Sequence, residues 1–322
     1  MWKNNRISKL LGIRHPIIQA PMAGCSTPEL AIEVSNAGGM GSLAAAMLST
    51  DNLKMQCQLI RKKTNRSFNV PEAVDLPPPF GERHLKIILE ENPGVISFHF
   101  GLPNQDLVTA IKEAGNIIIS SATCVSEAVD LEYRGVDAIV AQGFDAGGHR
   151  GTYQGSPETG QIGTMSLIPQ IADAINVPII AAGGIGDGRG IAAAFSLGAD
   201  GVQMGTAFLR CPETSLNQSY SDALASSKDN STCITYGFSG RPARAIKNEF
   251  TKLMSESKKK LPEFPIPSKL TGKLRAASAK AKTPKYMALW SGQAGSLSTN
   301  LPAKQLIKKL IMEVESTLQN LP

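Results

Sequence analysis

The sequence has few cysteines and no long apolar run, and each of these absences excludes a class of protein. Its five cysteines are widely spaced over 322 residues without a C-x-x-C pair, so we expect no metal and no disulfide framework. No apolar run approaches membrane-spanning length, and the first ten residues lack the apolar core of a signal peptide. These features predict a cytoplasmic protein without membrane contact.

The net charge of +6 is concentrated in one part of the chain. Between Lys247 and Lys285, eleven Lys and Arg stand against three Glu, which leaves the rest of the chain slightly acidic. The charges do not alternate with a series of aromatic residues that could stack on bases. A solvated helical face is therefore favoured, with no nucleic-acid partner. Steering of an anionic substrate and non-specific polyanion binding are the alternatives.

The first two thirds of the chain alternate between short apolar runs and helical patterns. Clear runs are PIIQA at 16–20, GVISFHF at 94–100 and NIIIS at 116–120. Strands that are apolar on both faces and separated by helices are typical of a parallel sheet covered on each side. Eight such strands fit before residue 206, so we predict an α/β fold, a (β/α)8 TIM barrel over residues 1–213. A doubly wound open sheet is the alternative.

The pattern changes after residue 213. Residues 214–284 contain no further β-type run and are rich in Ser, Lys and Ala, which predicts a helical subdomain. Residues 285–322 contain YMALWSGQAG and a final amphipathic helix. We expect this last segment to return to the barrel.

One glycine-rich stretch matches a dinucleotide fingerprint in spacing only. It is Gly39-x-Gly41-x-x-Ala44, and it follows a helix and enters a strand. The fingerprint must instead follow a strand and open a helix. A dinucleotide site at this position is therefore not favoured.

A second glycine-rich stretch, residues 177–209, predicts a ligand that carries a phosphate. It reads as strand, glycine loop, helix, strand and glycine turn. Bare backbone N–H groups at such turns bind phosphate, and the loops after strands seven and eight of a barrel recur as a phosphate site. The residues concerned are Gly183, Gly184, Gly186, Gly188 and Gly190 in the first loop, and Gly205 and Thr206 in the second.

The stretch AQGFDAGGHRGTY, residues 141–153, follows the predicted sixth strand. Barrel enzymes keep their chemistry at the carboxyl ends of the strands. The glycines let a flat ligand lie against backbone, and His149 is the only side chain of the loop that titrates near neutral pH. We therefore predict that His149 is catalytic. For His15, His84 and His99, structural roles are favoured, with His99 a core histidine or a pocket wall.

Several motifs together resemble the nitronate monooxygenases of the first class, formerly called 2-nitropropane dioxygenases. The resemblance covers nearly the whole chain in the right order. It implies an FMN-binding barrel with a helical domain partly over the site, and oxidation of alkyl nitronates of the propionate 3-nitronate type by molecular oxygen. The motifs are QAPMAG (19–24), SNAGGMGSL, SFHFGLP (97–103), AQGFDAGGHRG, GGIGDGRGIAAAFSLGADGVQMGTAFL, SGRPARAI (239–246) and LWSGQA (289–294).

The resemblance also implies roles for particular residues. The catalytic histidine falls on His149. Flavin contacts fall on Met22, Asn69, Gln142, Gly147, Gly184, Gln203, Met204, Gly205 and Thr206, with Gly183 in the same phosphate loop. Two departures from the family pattern occur. Asp145 stands where Glu is common, and the segment after Phe68, NVPEAVDLPPP, is polar, rich in proline and shorter than usual.

The chemistry that the resemblance implies gives His149 two possible tasks. A bound FMN would supply the one-electron steps that oxygen chemistry needs. A partly protonated His149 would hold an anionic nitronate, whereas with a neutral nitroalkane the imidazole would remove the α-proton.

Three other functions remain open from the sequence. The first is an NADH-dependent, FMN-containing enoyl-acyl-carrier-protein reductase, whose acidic carrier protein would meet the basic segment 247–285. The second is a flavin-binding protein without turnover. The third is nucleic-acid binding through the basic segment, which would depend steeply on salt.

Overall fold

A computed structural model describes residues 4–45, 48–74, 80–158, 160–257 and 260–320. Its main sheet contains seven parallel strands in the spatial order β1-β8-β7-β5-β4-β3-β2. These strands are β1 (Ile17–Gln19), β2 (Phe68–Ala73), β3 (Gly94–His99), β4 (Ile117–Ala122), β5 (Ala138–Gln142), β7 (Ile179–Ala182) and β8 (Gly201–Met204). The predicted runs at 16–20, 94–100 and 116–120 thus form strands.

Residues 40–43 complete the sheet between its two edge strands, β1 and β2. The backbone N of Met40 donates to the O of Ile17 at 3.0 Å, and the N of Asn69 donates to the O of Gly41 at 2.9 Å. The segment therefore acts as the eighth parallel element, and the predicted TIM-barrel fold is confirmed. The glycine at 41 is needed for packing, since a Cβ there would lie 2.1 Å from the O of Ala31.

Helices cover the outside of the barrel. The helix after β1 begins as its sequence predicts, with the Thr27 side chain accepting a hydrogen bond from the N of Leu30 and Pro28 in the first turn. The helices are α1 (Arg6–Leu11), α2 (Pro28–Asn36), α3 (Thr50–Arg61), α4 (Glu82–Glu91), α5 (Gln105–Glu113), α6 (Val125–Tyr133), α7 (Thr164–Ala172), α8 (Gly188–Ser196), α9 (Gln218–Ala225), α10 (Glu249–Glu256), α11 (Ile266–Leu270), α12 (Gly272–Lys280) and α13 (Ala303–Gln319).

The core has two layers because both faces of each strand are buried. Alternate residues such as Val95 and Ile119 point into the barrel, where Ile7 and Leu11 of α1 join them. The residues between them, such as Ile96, face the surrounding helices. Helix α13 packs against α2 and α8 and so occupies the outer position after β8. None of the helices among the described residues could cross a membrane.

The segment 214–284 contains helices, as expected, but the prediction that it has no strands is wrong. Strands β9 (Thr232–Thr235) and β10 (Ala243–Ile246) form an antiparallel sheet with the two-residue β6 (Gly148–His149), in the order β6-β10-β9. The sequences TCIT and ARAI are too short to show strand periodicity, and they pair only because the chain brings them together. Since β6 comes from the loop after β5, this sheet ties the segment to the barrel.

Candidate active site

The glycines of the loop after β5 are explained by close backbone contacts. A Cβ on Gly147 would lie 2.4 Å from the N of Gly292, and one on Gly143 would lie 1.9 Å from Oγ1 of Thr164. Gly148 has φ of +74°, in the left-handed region that favours glycine. The loop can therefore fold tightly against its neighbours and carry His149 at the carboxyl end of the barrel.

The ring of His149 lies among three aromatic side chains, which we call the aromatic cage: Phe100, Phe264 and Trp290. Their ring centroids lie 6.4, 6.0 and 5.3 Å from the centroid of the imidazole. They come from the end of β3, from the segment 214–284 and from the C-terminal segment. Parts of the chain that are distant in sequence therefore surround the histidine, and the guanidinium of Arg241 lies over the rings of Phe100 and Phe264, 4.1 and 4.8 Å from their centroids.

Burial makes the imidazole of His149 neutral at physiological pH. It lowers the pKa of His149 from its ordinary value of 6.5 to about 3, and the nearby His99 and Arg241 act in the same direction. The expectation of a partly protonated His149 is therefore wrong, because the sequence could not show that the loop is enclosed. A neutral imidazole retains a lone pair and can accept a proton.

Ser239 contacts one ring nitrogen of His149. Its Oγ lies 2.8 Å from Nε2 of His149 and 3.3 Å from both the O and the N of Arg241. When Oγ donates to the carbonyl O of Arg241 and accepts N–H from Nε2, the lone pair of the ring is on Nδ1; when Oγ donates to Nε2, the ring proton is on Nδ1. Ser239 is fully buried, and sequence analysis identified it only as the first residue of SGRPARAI.

His99 is a half-buried histidine that supports the His149 loop. Its Nδ1 lies 2.7 Å from Oγ of Ser121, and burial lowers its pKa to about 4. A Cβ on Gly151 would lie 2.6 Å from Cε1 of His99, so the loop rests directly on this ring. His99 therefore matches the favoured structural role.

The loops expected to hold a phosphate lie beside the His149 loop. Gly183 and Gly184 have φ of +113° and +68°, and added Cβ atoms would meet Ala146 and Asp145 within 3.1 Å. On the next strand, Oγ1 of Thr206 accepts a hydrogen bond from the N of Gly292 at 2.9 Å. Three barrel loops and the C-terminal segment thus converge at one place.

Gly205 has room for a side chain at this convergence. An added Cβ would meet only Ala20 at 3.4 Å and the side chain of Met22 from 3.9 Å, which is ordinary contact. Its φ of −103° is accessible to any residue. The protein itself therefore does not require glycine at 205, and this glycine is available as a cradle for a ligand.

A chain of polar side chains runs across the barrel interior to the Met22 loop. Nδ2 of Asn69 donates to Oγ of Ser42 at 3.1 Å, and the N of Ser42 donates to Oε1 of Gln19 at 2.8 Å. Gln19 and the N of Met22 both donate to Oγ of Ser26. Sequence analysis missed Gln19 and Ser26, because their function depends on contacts across the barrel.

Asn69 has an unused acceptor. Its side chain is fully buried, and among the described residues its Oδ1 has no hydrogen-bond partner. Buried polar atoms are normally paired, so this amide oxygen is an acceptor that a donor from a ligand could use. Together with the cradle at Gly205, this atom fits a bound group that is polar at both ends, such as the expected FMN.

Three other expected contacts have different surroundings. Both ends of the Gln142 amide hold the His149 loop: Oε1 accepts from the N of Gly151 at 2.7 Å and Nε2 donates to the O of His149 at 3.0 Å. The side chain of Met204 is buried in the outer core layer, so only its backbone is near the loops. Gln203 is half-buried in β8, beside Ile18 and Ala182.

The carboxylate of Asp145 holds the first residue of α7. Its Oδ2 accepts a hydrogen bond from the N of Thr164, the first residue of α7, at 2.6 Å. Oγ1 of Thr164 in turn donates to the O of Gly183 at 3.0 Å. Asp145 therefore links the His149 loop to the first phosphate loop.

Comparisons with known proteins find matches that span almost the whole chain. The family described as nitronate monooxygenase matches residues 4–80 and 72–313. A probable nitronate monooxygenase of Staphylococcus aureus is 37% identical over 353 aligned positions, which cover 99% of each chain. Since 353 exceeds the 322 residues of this chain, the relative carries residues that this chain lacks. The two family segments meet at 72–80, where the sequence looks shortened.

Two solved structures are similar over nearly their full length. Nitroalkane oxidase from Streptomyces ansochromogenes is 34% identical with a TM-score of 0.91, covering 98% of this chain and 100% of its own. FabK from Thermotoga maritima is 31% identical with a TM-score of 0.86, covering 98% of this chain and 97% of its own.

Proposed function

The chain belongs to the nitronate monooxygenase family and is an oxidoreductase, and from this premise we propose that it uses FMN to oxidise alkyl nitronates with molecular oxygen. The substrates would be of the propionate 3-nitronate type. His149 would be the catalytic residue. The observation that carries the proposal is the neutral, half-buried imidazole of His149, placed beside loops with a cradle for a phosphate.

The neutral state of His149 suits proton removal. A nitroalkane has to lose its α-proton before it becomes a nitronate, and a base positioned at that carbon accelerates the step. In the tautomer that donates N–H from Nε2 to Ser239, Nδ1 is the atom that would accept the proton. The aromatic cage leaves the imidazole half-buried, and this burial lowers its pKa so that the ring is neutral.

The residues around the converging loops would hold the cofactor. The backbones of Gly183, Gly184, Gly205 and Thr206 would bind its phosphate, and Asn69 would offer its unused Oδ1 to the other end of the molecule. Met22, Gln142, Gly147, Gln203 and Met204 would complete the contacts. A bound FMN would accept electrons from the substrate and pass them to oxygen.

Replacing Gly205 with valine is expected to lower FMN occupancy at least tenfold, about 1.4 kcal/mol of binding free energy. The valine side chain would fill the cradle, while the barrel should fold because a Cβ at 205 meets only ordinary contacts. Flavin released by acid from the parent protein should chromatograph as FMN. Occupancy is read from flavin absorbance after reconstitution.

The matched control for this experiment is Gly272→Val. A Cβ on Gly272 has no neighbour within 4 Å, so this variant adds the same side chain in open space and should keep its flavin. An FAD peak from the parent protein would contradict the proposed cofactor. Full occupancy in Gly205→Val would show that the phosphate lies elsewhere.

The NADH-dependent enoyl-acyl-carrier-protein reductase is the second candidate, and the similarity to FabK favours it. The two candidates differ in the source of electrons. We expect oxygen consumption with propionate 3-nitronate without NADH, and no useful NADH oxidation with an enoyl thioester. An oxygen electrode and the NADH absorbance band on one preparation decide between them. Rapid bleaching of the flavin by NADH, with no oxygen consumed on adding nitronate, would favour the reductase.

A further inference from the structure

The neutral state of His149 means that this ring supplies no charge to a bound nitronate. A nitronate is an anion, and an anion that leaves water for a protein site is costly unless the site provides a cation or hydrogen-bond donors. With a pKa of about 3, the imidazole of His149 is not a cation at physiological pH. A cation beside the aromatic cage would supply the missing charge.

Arg241 places a guanidinium beside the aromatic cage. Its Cζ lies 4.1 Å from the ring centroid of Phe100 and 4.8 Å from that of Phe264. The same two rings lie edge-on to the imidazole of His149, with centroids 6.4 and 6.0 Å away. The guanidinium and the imidazole therefore share two neighbours, and a guanidinium stays charged at neutral pH. The charge is near enough to contribute to the lowered pKa of His149.

The backbone also holds Arg241 next to His149. Oγ of Ser239 lies 2.8 Å from Nε2 of His149 and 3.3 Å from the backbone N and O of Arg241. Strand β10 begins two residues after Arg241, at Ala243, which is paired with His149 of β6. The sheet that carries the imidazole thus also fixes the position of the arginine.

Two other arginines near the His149 loop hold the backbone instead. Nη2 of Arg150 donates to the O of Gly160 at 2.6 Å, and Nε of Arg244 donates to the O of Phe144 at 3.1 Å. Both side chains are buried, whereas Arg241 is half-buried. Of these three arginines, Arg241 is the one whose guanidinium lies against the aromatic cage.

We infer that Arg241 is the anion-binding residue of the site and pairs with the two nitro oxygens of a substrate whose α-carbon lies beside His149. This inference rests on the proposed function, which it makes more specific. A nitro group is planar and presents two oxygens at one edge, as a carboxylate does. A guanidinium binds such an edge through two parallel hydrogen bonds, which gives both affinity and orientation.

Arg241 also assists proton removal from a neutral nitroalkane. The α-proton moves to the ring nitrogen of His149 that carries the lone pair, the electron pair of the C–H bond forms a C=N bond, and negative charge moves onto the two nitro oxygens. The guanidinium meets that charge as it develops, so it stabilises the transition state more than the neutral substrate. The new anion also offsets the repulsion between Arg241 and the imidazolium that forms.

Replacing Arg241 with glutamine is expected to affect charged and neutral substrates differently. Ethyl nitronate is charged from the start, so its kcat/KM should fall on the order of a hundredfold, mainly through KM. Nitroethane becomes charged only during the reaction, so its loss should lie mainly in kcat. Oxygen consumption measures both effects, and FMN occupancy should be unchanged.

Two variants serve as controls for this experiment. Arg241→Lys keeps the charge without the planar fork, so it should recover both activities to within roughly tenfold of the parent. Lys247→Gln removes an exposed cation that directly follows β10 and should leave both activities unchanged. A loss in Lys247→Gln equal to that in Arg241→Gln would indicate general electrostatic steering and overturn the inference.

A binding measurement tests the anion site without turnover. Acetate has a planar edge of two oxygens and a negative charge, but it offers no nitro group for the reaction. The chain has two tryptophans, so in a Trp2→Phe background the fluorescence reports on Trp290, whose ring centroid lies 5.3 Å from that of His149. We expect acetate to change this fluorescence saturably, Arg241→Gln to abolish the change and Arg241→Lys to retain it.

The failure of this inference and that of the proposed function give different results. If no nitronate supports oxygen consumption but acetate still binds through Arg241, the proposed function fails and the anion site stands. If Arg241→Gln leaves the KM for ethyl nitronate and the acetate response unchanged, the anion site fails and the function stands. Equal losses in Arg241→Gln and Arg241→Lys would reduce Arg241 to a packing partner of Phe100 and Phe264, and loss of FMN in Arg241→Gln would assign it to the cofactor; either result overturns the inference.

Discussion

Replacing His149 with asparagine is expected to lower turnover of neutral nitroalkanes by a hundred- to ten-thousand-fold, the usual range for loss of a general base. Asparagine can still form a hydrogen bond with Ser239 but cannot accept the α-proton. Preformed nitronates have already lost that proton, so their turnover should fall much less. FMN should remain bound, because the phosphate loops do not include position 149. Steady-state oxygen consumption with nitroethane and with ethyl nitronate measures both effects.

Two further variants make the result decisive. His84→Asn changes a histidine on the outer helix α4 and should leave both activities intact. Ser239→Ala keeps the imidazole but removes its partner at 2.8 Å, so it should reduce nitroalkane turnover more than nitronate turnover. Equal and small losses for both substrates in His149→Asn would refute the base role and leave His149 as a wall of the site.

Lowering the pH from 6.5 to 5 is expected to destabilise the protein through His99 and His149. His99 and His149 have pKa values of about 4 and about 3 in the fold but the ordinary 6.5 when unfolded. In this pH range the unfolded chain therefore binds more protons than the folded chain, so stability is lost as pH falls. Each histidine accounts for up to about 1.4 kcal/mol per pH unit.

One buried carboxyl group acts in the opposite direction. Burial raises the pKa of Glu72 to about 8, so this group is protonated in the fold and ionised in the unfolded chain across the same range. Its contribution strengthens as pH falls and offsets about one histidine. The net loss expected from these three groups is therefore about 1.4 kcal/mol per pH unit.

Urea unfolding at pH 6.5, 6.0, 5.5 and 5.0 measures this slope. His99→Gln should flatten the slope, because glutamine does not titrate, and Glu72→Gln should make it about twice as steep. His15 and His84 also have pKa values lowered by burial, so each variant is compared with its parent. Identical slopes in all three proteins would show that His99 and Glu72 are not held neutral by the fold.

The barrel was predictable because its signals are local. Apolar runs such as 94–100 and 116–120 are buried on both faces whatever surrounds them, and a cap such as Thr27 acts within one turn. The carboxyl ends of parallel strands necessarily meet, so the convergence of the loops at Gly147, Gly184 and Gly205 also followed from the sequence.

The features that sequence analysis missed depend on contacts between distant parts of the chain. Ser239 reaches His149 only because β10 pairs with β6, and neither strand has a recognisable pattern. The neutral state of His149 depends on Phe264 and Trp290, which follow it by more than a hundred residues. A local sequence pattern cannot show that distant residues surround a side chain. The protonation state of His149 was therefore predicted wrongly.

The hydrogen bonds of the segment 290–293 bear on how the enzyme is made in the cell. Gly292 contacts Thr206, and the N of Gln293 donates to the O of Asp145 at 3.0 Å. Ribosomes synthesise the barrel strands first, and domains begin to fold from the N-terminus during synthesis. A nascent chain that has finished its last barrel strand still lacks these partners of the cofactor loops. We therefore expect the proposed flavin to bind late in biogenesis, after translation of the barrel.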